Sequence, residues 1–315
     1  MNKLKLLKIA FAASVVALIA CGALVFGRTV RLGNHYANAE QYAAGGTTLD
    51  GAVKNLEIDW TDGAVNIAYH AGNTVDIAET APKAISADAA LRWWLDGDTL
   101  RIQYAKSGYF SFTGLNKALT VTLPEGVTLD SARIDVTSGE VNAPDLRAND
   151  VQIGLTSGDL ALKTSGASQR VALSSTSGDI RADIADAGKL TIGVTSGVIR
   201  ASVGHVDEVD ISATSGDIAL EGGAAQKVKI GSTSGKVDVR LTAFEALDID
   251  ATSGDITAAL PSAPGYRADV STTSGGFDYA VPLTRDGSAY ACGDGSASVK
   301  IHTTSGNVLL TEAEE

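Results

Sequence analysis

Acidic residues follow the recurring tripeptide Thr-Ser-Gly, and they are the first candidates for chemistry in this chain. Asp159 and Asp179 stand directly after two successive copies. Two carboxylates about 5 Å apart suit a retaining glycosidase, and clustered carboxylates bind calcium. An Asp after Gly is also a common turn residue, whose carboxylate accepts backbone N–H groups. We therefore expect turn chemistry at Asp159 and Asp179, with weak calcium binding and glycan cleavage as the alternatives.

Other residue types that perform chemistry are scattered. The four histidines lie far apart without the spacing of metal ligands, and no nucleophile motif accompanies them. They are His35, His70, His205 and His302. The net charge is −12, and no cluster of Lys and Arg is present that would neutralise nucleic-acid phosphates. We expect no catalytic residue, no cofactor, no dedicated metal site and no nucleic-acid partner.

The copies of Thr-Ser-Gly that would position the acidic residues recur at nearly constant intervals. They begin at Thr137, Thr156, Thr176, Thr195, Thr214, Thr233, Thr252, Thr273 and Thr304. Most steps are 19 residues, and the last is 31. The long step indicates an extra loop of roughly ten residues in that coil. A degenerate earlier copy is Thr61-Asp62-Gly63.

Each repeat shows the alternation of short, half-buried strands on both sides of a turn. Val209, Ile211 and Ala213 alternate with polar residues before one copy, and Ile218 and Leu220 do so after it. A unit this short cannot bury its own apolar face, so the units must stack. The pattern predicts an all-β parallel β-solenoid, a single-stranded β-helix of about 19-residue coils. One interior column should hold Ile180, Ile199, Ile218, Val237 and Ile256.

The N-terminus predicts a membrane anchor. Residues 9–27 are apolar or small without a charge, which is nearly the length of a membrane-spanning helix. Three lysines precede this run and two arginines follow it, which favours a cytoplasmic N-terminus. A lipoprotein lipidated at Cys21 and a signal peptide cleaved after the Ala-x-Ala at residues 37–39 are the alternatives. All three interpretations place the solenoid on the extracytoplasmic side.

The sequence divides into five segments. Residues 1–28 form the cytoplasmic tip and anchor, 29–48 a linker, 49–123 N-terminal coils with an aromatic cap, 124–312 the Thr-Ser-Gly solenoid and 313–315 a tail. The aromatics of the cap have two interpretations. They plug the open end of the first coils, or some of them form an exposed surface for a carbohydrate or another partner. The candidates for such a surface are Trp93, Trp94, Tyr109 and Phe110.

The sequence resembles the DUF4097 adhesin family of bacterial cell-envelope proteins over roughly residues 50–312. Three features carry the resemblance: the run Ala-Leu-Thr-Val-Thr-Leu-Pro at 118–124, the serial Thr-Ser-Gly-Asp-Ile copies, and the closing Gly-Asp-Gly-Ser-Ala at 293–297 with Thr-Ser-Gly-Asn-Val at 304–308. The resemblance implies a β-solenoid at the cell surface, and it implies no catalytic residue.

These observations lead to one functional expectation with two rivals. We expect a non-catalytic, membrane-anchored extracytoplasmic module for binding, adhesion or spacing. Its partners would be a cell-envelope glycan or a surface protein, together with the cytoplasmic membrane through the N-terminal helix. The first rival is a self-assembling envelope scaffold, and the second is a polysaccharide-cleaving enzyme.

Overall fold

The computed structural model describes residues 35–111 and 114–313, and in these the chain forms one sheet of 23 strands. The first eight are β1 (Ala43–Ala44), β2 (Thr47–Leu49), β3 (Asn55–Asp62), β4 (Val65–His70), β5 (Val75–Thr80), β6 (Arg92–Asp96), β7 (Thr99–Gln103) and β8 (Ala118–Pro124). The next eight are β9 (Leu129–Ser138), β10 (Val141–Ala143), β11 (Ala148–Ser157), β12 (Leu160–Ser177), β13 (Ile180–Ser196), β14 (Ile199–Ser215), β15 (Ile218–Ser234) and β16 (Val237–Ser253). The last seven are β17 (Ile256–Leu260), β18 (Gly265–Ser274), β19 (Phe277–Tyr279), β20 (Thr284–Asp286), β21 (Ala289–Gly293), β22 (Ala297–Ser305) and β23 (Val308–Glu312).

Each of the long strands β12 to β16 is one coil of a solenoid. Neighbouring coils pair in parallel, and from β13 to β16 each residue lies beside the residue 19 positions further on. The all-β, largely parallel sheet predicted from the alternation is therefore confirmed. The predicted interior column is also confirmed, because Ile180, Ile199, Ile218, Val237 and Ile256 pair in succession and all are buried.

The core is a set of such columns inside the coil. Side chains on β14 alternate between buried and exposed from Ile199 onward, and Val209 and Ile211 are buried completely. Stacking like residues at about 4.8 Å lets each apolar side chain cover the one below it. Each such burial stabilises the fold by about 2 kcal/mol before the entropy of ordering the chain is subtracted. A single coil has no such neighbour, so the coils are stable only as a stack.

The turn at each Thr-Ser-Gly requires glycine. Gly216 has φ +130°, and a Cβ there would collide with the carbonyl oxygen of Gly197 in the coil below. Only glycine accommodates both the backbone conformation and the close approach. The Thr61-Asp62-Gly63 copy takes part in the same column, since the N–H of Gly63 donates to the carbonyl of Ser138 at 2.8 Å. The single 20-residue step is absorbed by a bulge between Thr164 and Ala167.

The order of coils in space differs from their order in sequence at both ends. At the N-terminal end, β3 and β4 lie between the pair β7 and β8 and the pair β9 and β10. At the C-terminal end, β22 and β23 lie between β16 and β17 on one side and β18 and β19 on the other. Every inserted coil carries the same alternation and turn, so its edges fit between any two neighbours.

Antiparallel strands finish the two ends. At the N-terminal end β5 pairs with β8 and β2 with β5, while β6 pairs with β7 and β1 with β6. We call these four added strands and the loop residues 81–91, 104–111 and 114–117 the N-terminal cap. Residues 43–48, which the sequence interpretation placed in a linker at 29–48, therefore contribute β1 and most of β2 to this cap. At the C-terminal end the 31-residue step contains the hairpin of β20 and β21, which is the predicted extra loop.

The predicted anchor lies outside the described residues, as does Cys21. Within the ranges 35–111 and 114–313, no helix has the length and apolar character needed to span a membrane.

Candidate binding surfaces and the turn ladder

The two candidate carboxylates, Asp159 and Asp179, both bond to the backbone of a neighbouring coil. Asp159 Oδ1 accepts the N–H of Asp179 at 2.9 Å, and Asp179 Oδ1 accepts the N–H of Val198 at 2.8 Å. A carboxylate that accepts a backbone N–H makes a charge-assisted bond, which is stronger than a neutral one. The positions are thus used to connect one bend to the next.

The same bond recurs along the rod, and we call this series the turn ladder. Asp217 Oδ1 accepts the N–H of Lys236, and Asp255 Oδ1 accepts that of Asn307, both at 2.8 Å. Asn307 Oδ1 accepts the N–H of Gly276 at 2.9 Å. The amide of Asn307 therefore replaces a carboxylate in the same role. Among residues 35–111 and 114–313, no group of three or more His, Cys, Asp or Glu side chains could hold a metal ion.

The four aromatics proposed as a ligand surface do not lie on one exposed face. Trp93 and Tyr109 pack against the hydrophobic core and are half-buried. Trp94 follows Trp93 on β6 and therefore points to the opposite face of the strand. Phe110 is the most exposed of the four, at 47%. Alternation along a single strand thus separates the two tryptophans.

Trp94 instead belongs to an aromatic strip on the outside of the cap, together with Tyr42 and Tyr36. The rings of Tyr36 and Tyr42 lie 4.7 Å apart, and those of Tyr42 and Trp94 lie 5.6 Å apart, measured between centroids. All three side chains are half-buried, and burial raises the pKa of Tyr36 and of Tyr42. The two tyrosines were missed from sequence because they fall within the segment read as a linker.

The interior of the cap contains a buried lysine that no sequence pattern singled out. The Lys117 side chain is 0% exposed, and its ammonium group lies 2.9 Å from Glu79 Oε2. It also donates to the carbonyls of Ala89 and Tyr104. The rings of Tyr104 and Trp60 flank it at 4.1 and 4.9 Å from their centroids, within the range of cation–π attraction.

Lys117 holds the loops of the cap against the first coils. Ala89 lies in one loop and Tyr104 begins the other, while the indole N–H of Trp60 on β3 donates to the carbonyl of Lys117 at 3.2 Å. Burial lowers the pKa of Lys117, and the hydrogen bond and charge of Glu79 oppose that shift. Burial also raises the pKa of Tyr104 to about 12. The plug interpretation of the cap aromatics therefore applies to Trp60 and Tyr104.

A second unforeseen arrangement lies near the C-terminal end, where Asp250, His302 and Ser271 stand side by side on three adjacent strands. Ser271 Oγ lies 2.9 Å from His302 Nδ1. The other ring nitrogen, Nε2, is buried without a hydrogen-bond partner in the described structure. In a catalytic triad the acid bonds to the imidazole and orients it. That bond from Asp250 is not made here. Burial, followed by the charge of Asp248, raises the pKa of Asp250.

The outward side chains on the long face of the rod are small or polar. Gly154, Ala172 and Ser174 line an open depression on this face, and Arg133 and Arg170 line it as well. Arg133 Nε lies 2.9 Å from Asp135 Oδ2, so that guanidinium already has a partner. The face offers polar contacts along the rod, without a deep cleft at this depression.

Stacked 19-residue coils with a glycine turn column define the chain as a parallel β-solenoid of the repeat class. The family model named Toastrack DUF4097 matches residues 53–311, and the chain belongs to that family. The resemblance stated from the sequence is confirmed.

Three solved structures are similar to the chain. One is a "putative adhesin" from Bacteroides fragilis, with 14% identity, 85% of this chain and 95% of that chain covered, and a TM-score of 0.39. Another, from Parabacteroides distasonis, bears the same name and has 12% identity, 85% and 97% coverage and a TM-score of 0.40. A "putative cell adhesion protein" from Clostridium sporogenes has 11% identity, 86% and 100% coverage and a TM-score of 0.23. No curated protein matches the sequence significantly.

Proposed function

We propose that this protein is a membrane-anchored, extracytoplasmic binding module that catalyses no reaction. The observation that carries the proposal is the aromatic strip of Tyr36, Tyr42 and Trp94 on the outside of the N-terminal cap. Half-buried aromatic rings with polar edges present a rigid surface that loses little entropy on binding. The solenoid behind the strip supports it as a stiff rod.

A cell-envelope glycan is the ligand class that fits this strip best. Sugar rings present C–H faces that pack on aromatic rings, and their hydroxyls bond to the polar groups around them. The adjacent exposed charges have both signs, because the Arg101 guanidinium lies between Glu57 and Asp96. A surface protein is the second ligand class that the same strip would accommodate.

The localisation half of the proposal rests on the apolar segment 9–27 and its flanking lysines and arginines. A helix of that length reaches nearly across a hydrocarbon core of about 30 Å. It is tested by protease access in intact and permeabilised cells. The proposed topology is supported if the solenoid resists the protease in intact cells and is cleaved once the outer barrier has been opened, while the cytoplasmic membrane is still sealed. Recovery of the solenoid as a soluble protein in the cytoplasmic fraction contradicts it.

Binding is tested by incubating the detergent-solubilised full chain with immobilised cell-envelope glycans and measuring retention. We expect Trp94→Ala to reduce retention at least tenfold, because tryptophan is the residue type most often found as a dominant contact in a binding surface. The matched control is Phe244→Ala, which removes a half-buried aromatic on β16, outside both the cap and the C-terminal hairpin. Equal retention of the Trp94→Ala variant and the wild type contradicts the proposed strip. Absence of retention on every glycan leaves a spacer role, in which the rod only sets a distance from the membrane.

A further inference from the structure

The two ends of the rod are finished differently. At the N-terminal end the outermost strands, β1 and β2, are only two and three residues long, which limits edge pairing. At the C-terminal end, β21 covers only Gly265–Ala268 of the strand β18. Within the described residues, the remainder of β18 pairs on one side only, with β22, and β19 pairs only with β23. We call residues 269–279 the ledge.

The ledge directs free backbone groups away from the rod. The carbonyl of Ser274 accepts the N–H of Gly306 in the coil beneath. Alternate residues of a strand direct their backbone groups to opposite sides, so Thr273 and Ser271 direct theirs to the open side. An edge of this kind is a template for pairing with another strand.

The side chains of the ledge protect this edge only in part. Residues 269–279 contain no Lys or Pro, two of the usual guards of exposed strands, and their charged residues are Asp269 and Asp278. Tyr279 is 48% exposed, and its ring lies 5.6 Å from that of Phe277 and 5.9 Å from that of Tyr290. The outermost strand β20, in contrast, carries the charged residues Arg285 and Asp286, and all of its residues are exposed. An aromatic cluster thus lies beside an edge whose charges are acidic only.

The C-terminal end has the shape of a step. The hairpin of β20 and β21 rises two strands above β18, which is about 10 Å. The ledge lies beside it at the lower level. When a two-fold axis runs across such a step, the raised part of one copy occupies the low part of the other.

We infer that two copies of this chain join at their C-terminal ends, with each hairpin resting on the ledge of the other copy. Charge supports a second copy as the occupant: Arg285 is exposed on the hairpin, and Asp269 and Asp278 are exposed on the ledge. The two-fold arrangement brings these opposite charges together twice. Arg267 is already paired with Asp286.

The association closes at two copies. At the N-terminal end, among the described residues, β1 and β2 leave only the three-residue stretches 78–80 of β5 and 94–96 of β6 paired on one side, so a head-to-tail contact that would extend into a filament has a much shorter edge to pair with. The dimer places the two N-terminal caps at opposite ends of a double-length rod. This inference is independent of the glycan ligand proposed above, since the aromatic strip lies at the far end of each copy.

The test is the mass of the full chain in detergent micelles, measured by light scattering over a range of protein concentration. We expect two copies for the wild type. We expect the dimer dissociation constant to rise at least tenfold in Tyr279→Lys, which places a positive charge on the ledge opposite Arg285 of the other copy. The matched control is Thr195→Lys, an exposed first residue of Thr-Ser-Gly in a coil that is paired on both sides. It should keep the wild-type dimer.

A second variant covers the case in which Tyr279→Lys does not fold. Thr273→Pro removes an open-side N–H, a position where proline is tolerated on an edge strand, and we expect the same loss of dimer with an unchanged melting temperature. A wild type that stays monomeric at every concentration overturns the inference. A dimer that neither folded variant weakens also overturns it, because the contact then lies elsewhere, such as in the N-terminal apolar segment.

Discussion

The carboxylate of Asp179 accepts the backbone N–H of Val198 at 2.8 Å, and the two residues occupy the same position in successive coils. This relationship explains why acidic residues so often follow Thr-Ser-Gly. Each one connects its own bend to the next, so the bends stay aligned along the rod. The turn interpretation of Asp159 and Asp179 agrees with these bonds, and the geometry gives the carboxylates a structural task.

The turn ladder makes the first prediction. Replacing Asp217 by Ala should lower the free energy of unfolding by about 1 kcal/mol, since the N–H of Lys236 loses its acceptor. Replacing it by Asn should cost much less, because Asn307 already accepts an N–H in the same way. Urea unfolding followed by circular dichroism measures both. The control is Asp207→Ala, which removes an exposed carboxylate outside the ladder that accepts from the side chain of Gln226. Equal losses for Asp217→Ala and Asp217→Asn would contradict the ladder.

The glycine turn makes the second prediction. Gly216→Ala should destabilise the rod by about 3 kcal/mol or more, because φ is +130° and the added methyl meets the carbonyl of Gly197. Gly231→Ala provides a matched control in the same coil, since nothing lies within 4 Å of a Cβ at that position. It should be neutral or stabilising. The melting temperatures of the two variants measure the difference, and equal shifts would contradict the proposed steric role.

The buried lysine makes the third prediction. Lys117→Met should destabilise the N-terminal cap by about 3 kcal/mol, because it leaves the Glu79 carboxylate buried without its partner. The additional change Glu79→Gln should recover part of that loss. All three tryptophans, Trp60, Trp93 and Trp94, lie in or directly beneath the cap, so their fluorescence reports its unfolding, while circular dichroism reports the whole rod.

The control for Lys117 is Lys163→Met, which removes a lysine whose ion pair with Asp183 is exposed. Exposed pairs contribute little to stability, so its melting by both probes should match the wild type. The contradicting outcome is a Lys117→Met cap that melts with the rod at the wild-type temperature. The buried ion pair would then not hold the cap.

Alkaline pH makes the fourth prediction. The folded pKa of Tyr104 is about 12, above its ordinary value of about 10. Between these values the folded state keeps the phenol proton and the unfolded state releases it, so the stability from this group is full below pH 10 and is lost as pH rises towards 12. Tyr104→Phe should therefore lose less cap stability than the wild type over that interval. Melting by tryptophan fluorescence measures it, and identical slopes would exclude the role of Tyr104.

The repetitive part of the fold could be predicted from the sequence because the interactions that form it are local and recur at a constant interval. Alternation around Val209 to Leu220 identified the buried faces, and the 19-residue interval identified the column of Ile180 and its equivalents. The position of Thr61-Asp62-Gly63 under the turn column followed from the same motif. The roughly ten-residue insertion was located correctly, although its hairpin form was not predicted.

The stacking order at the two ends of the rod could not be predicted in this way. Any coil with the same alternation and turn can form backbone hydrogen bonds with any other. The coil 297–312 pairs with either neighbour equally well by pattern, so its insertion ahead of 265–279 left no signal in the sequence. The order Asp250, His302, Ser271 across the three strands, which puts His302 in the middle, follows from that insertion. Lys117 was hidden for a related reason, since its carboxylate partner Glu79 lies 38 residues away.

The central claim is the stacking order, and engineered disulfides test it most directly. In a Cys21→Ser background, Thr257→Cys with Leu309→Cys should form an internal disulfide, because these residues are neighbours on β17 and β23. Thr257→Cys with Asp278→Cys should not, because β23 lies between β17 and β19, which places them about 10 Å apart. Mass spectrometry of the two variants reads the outcome. The reverse result, with Thr257 linked to residue 278 and not to 309, would mean that the coils stack in sequence order and would contradict the account.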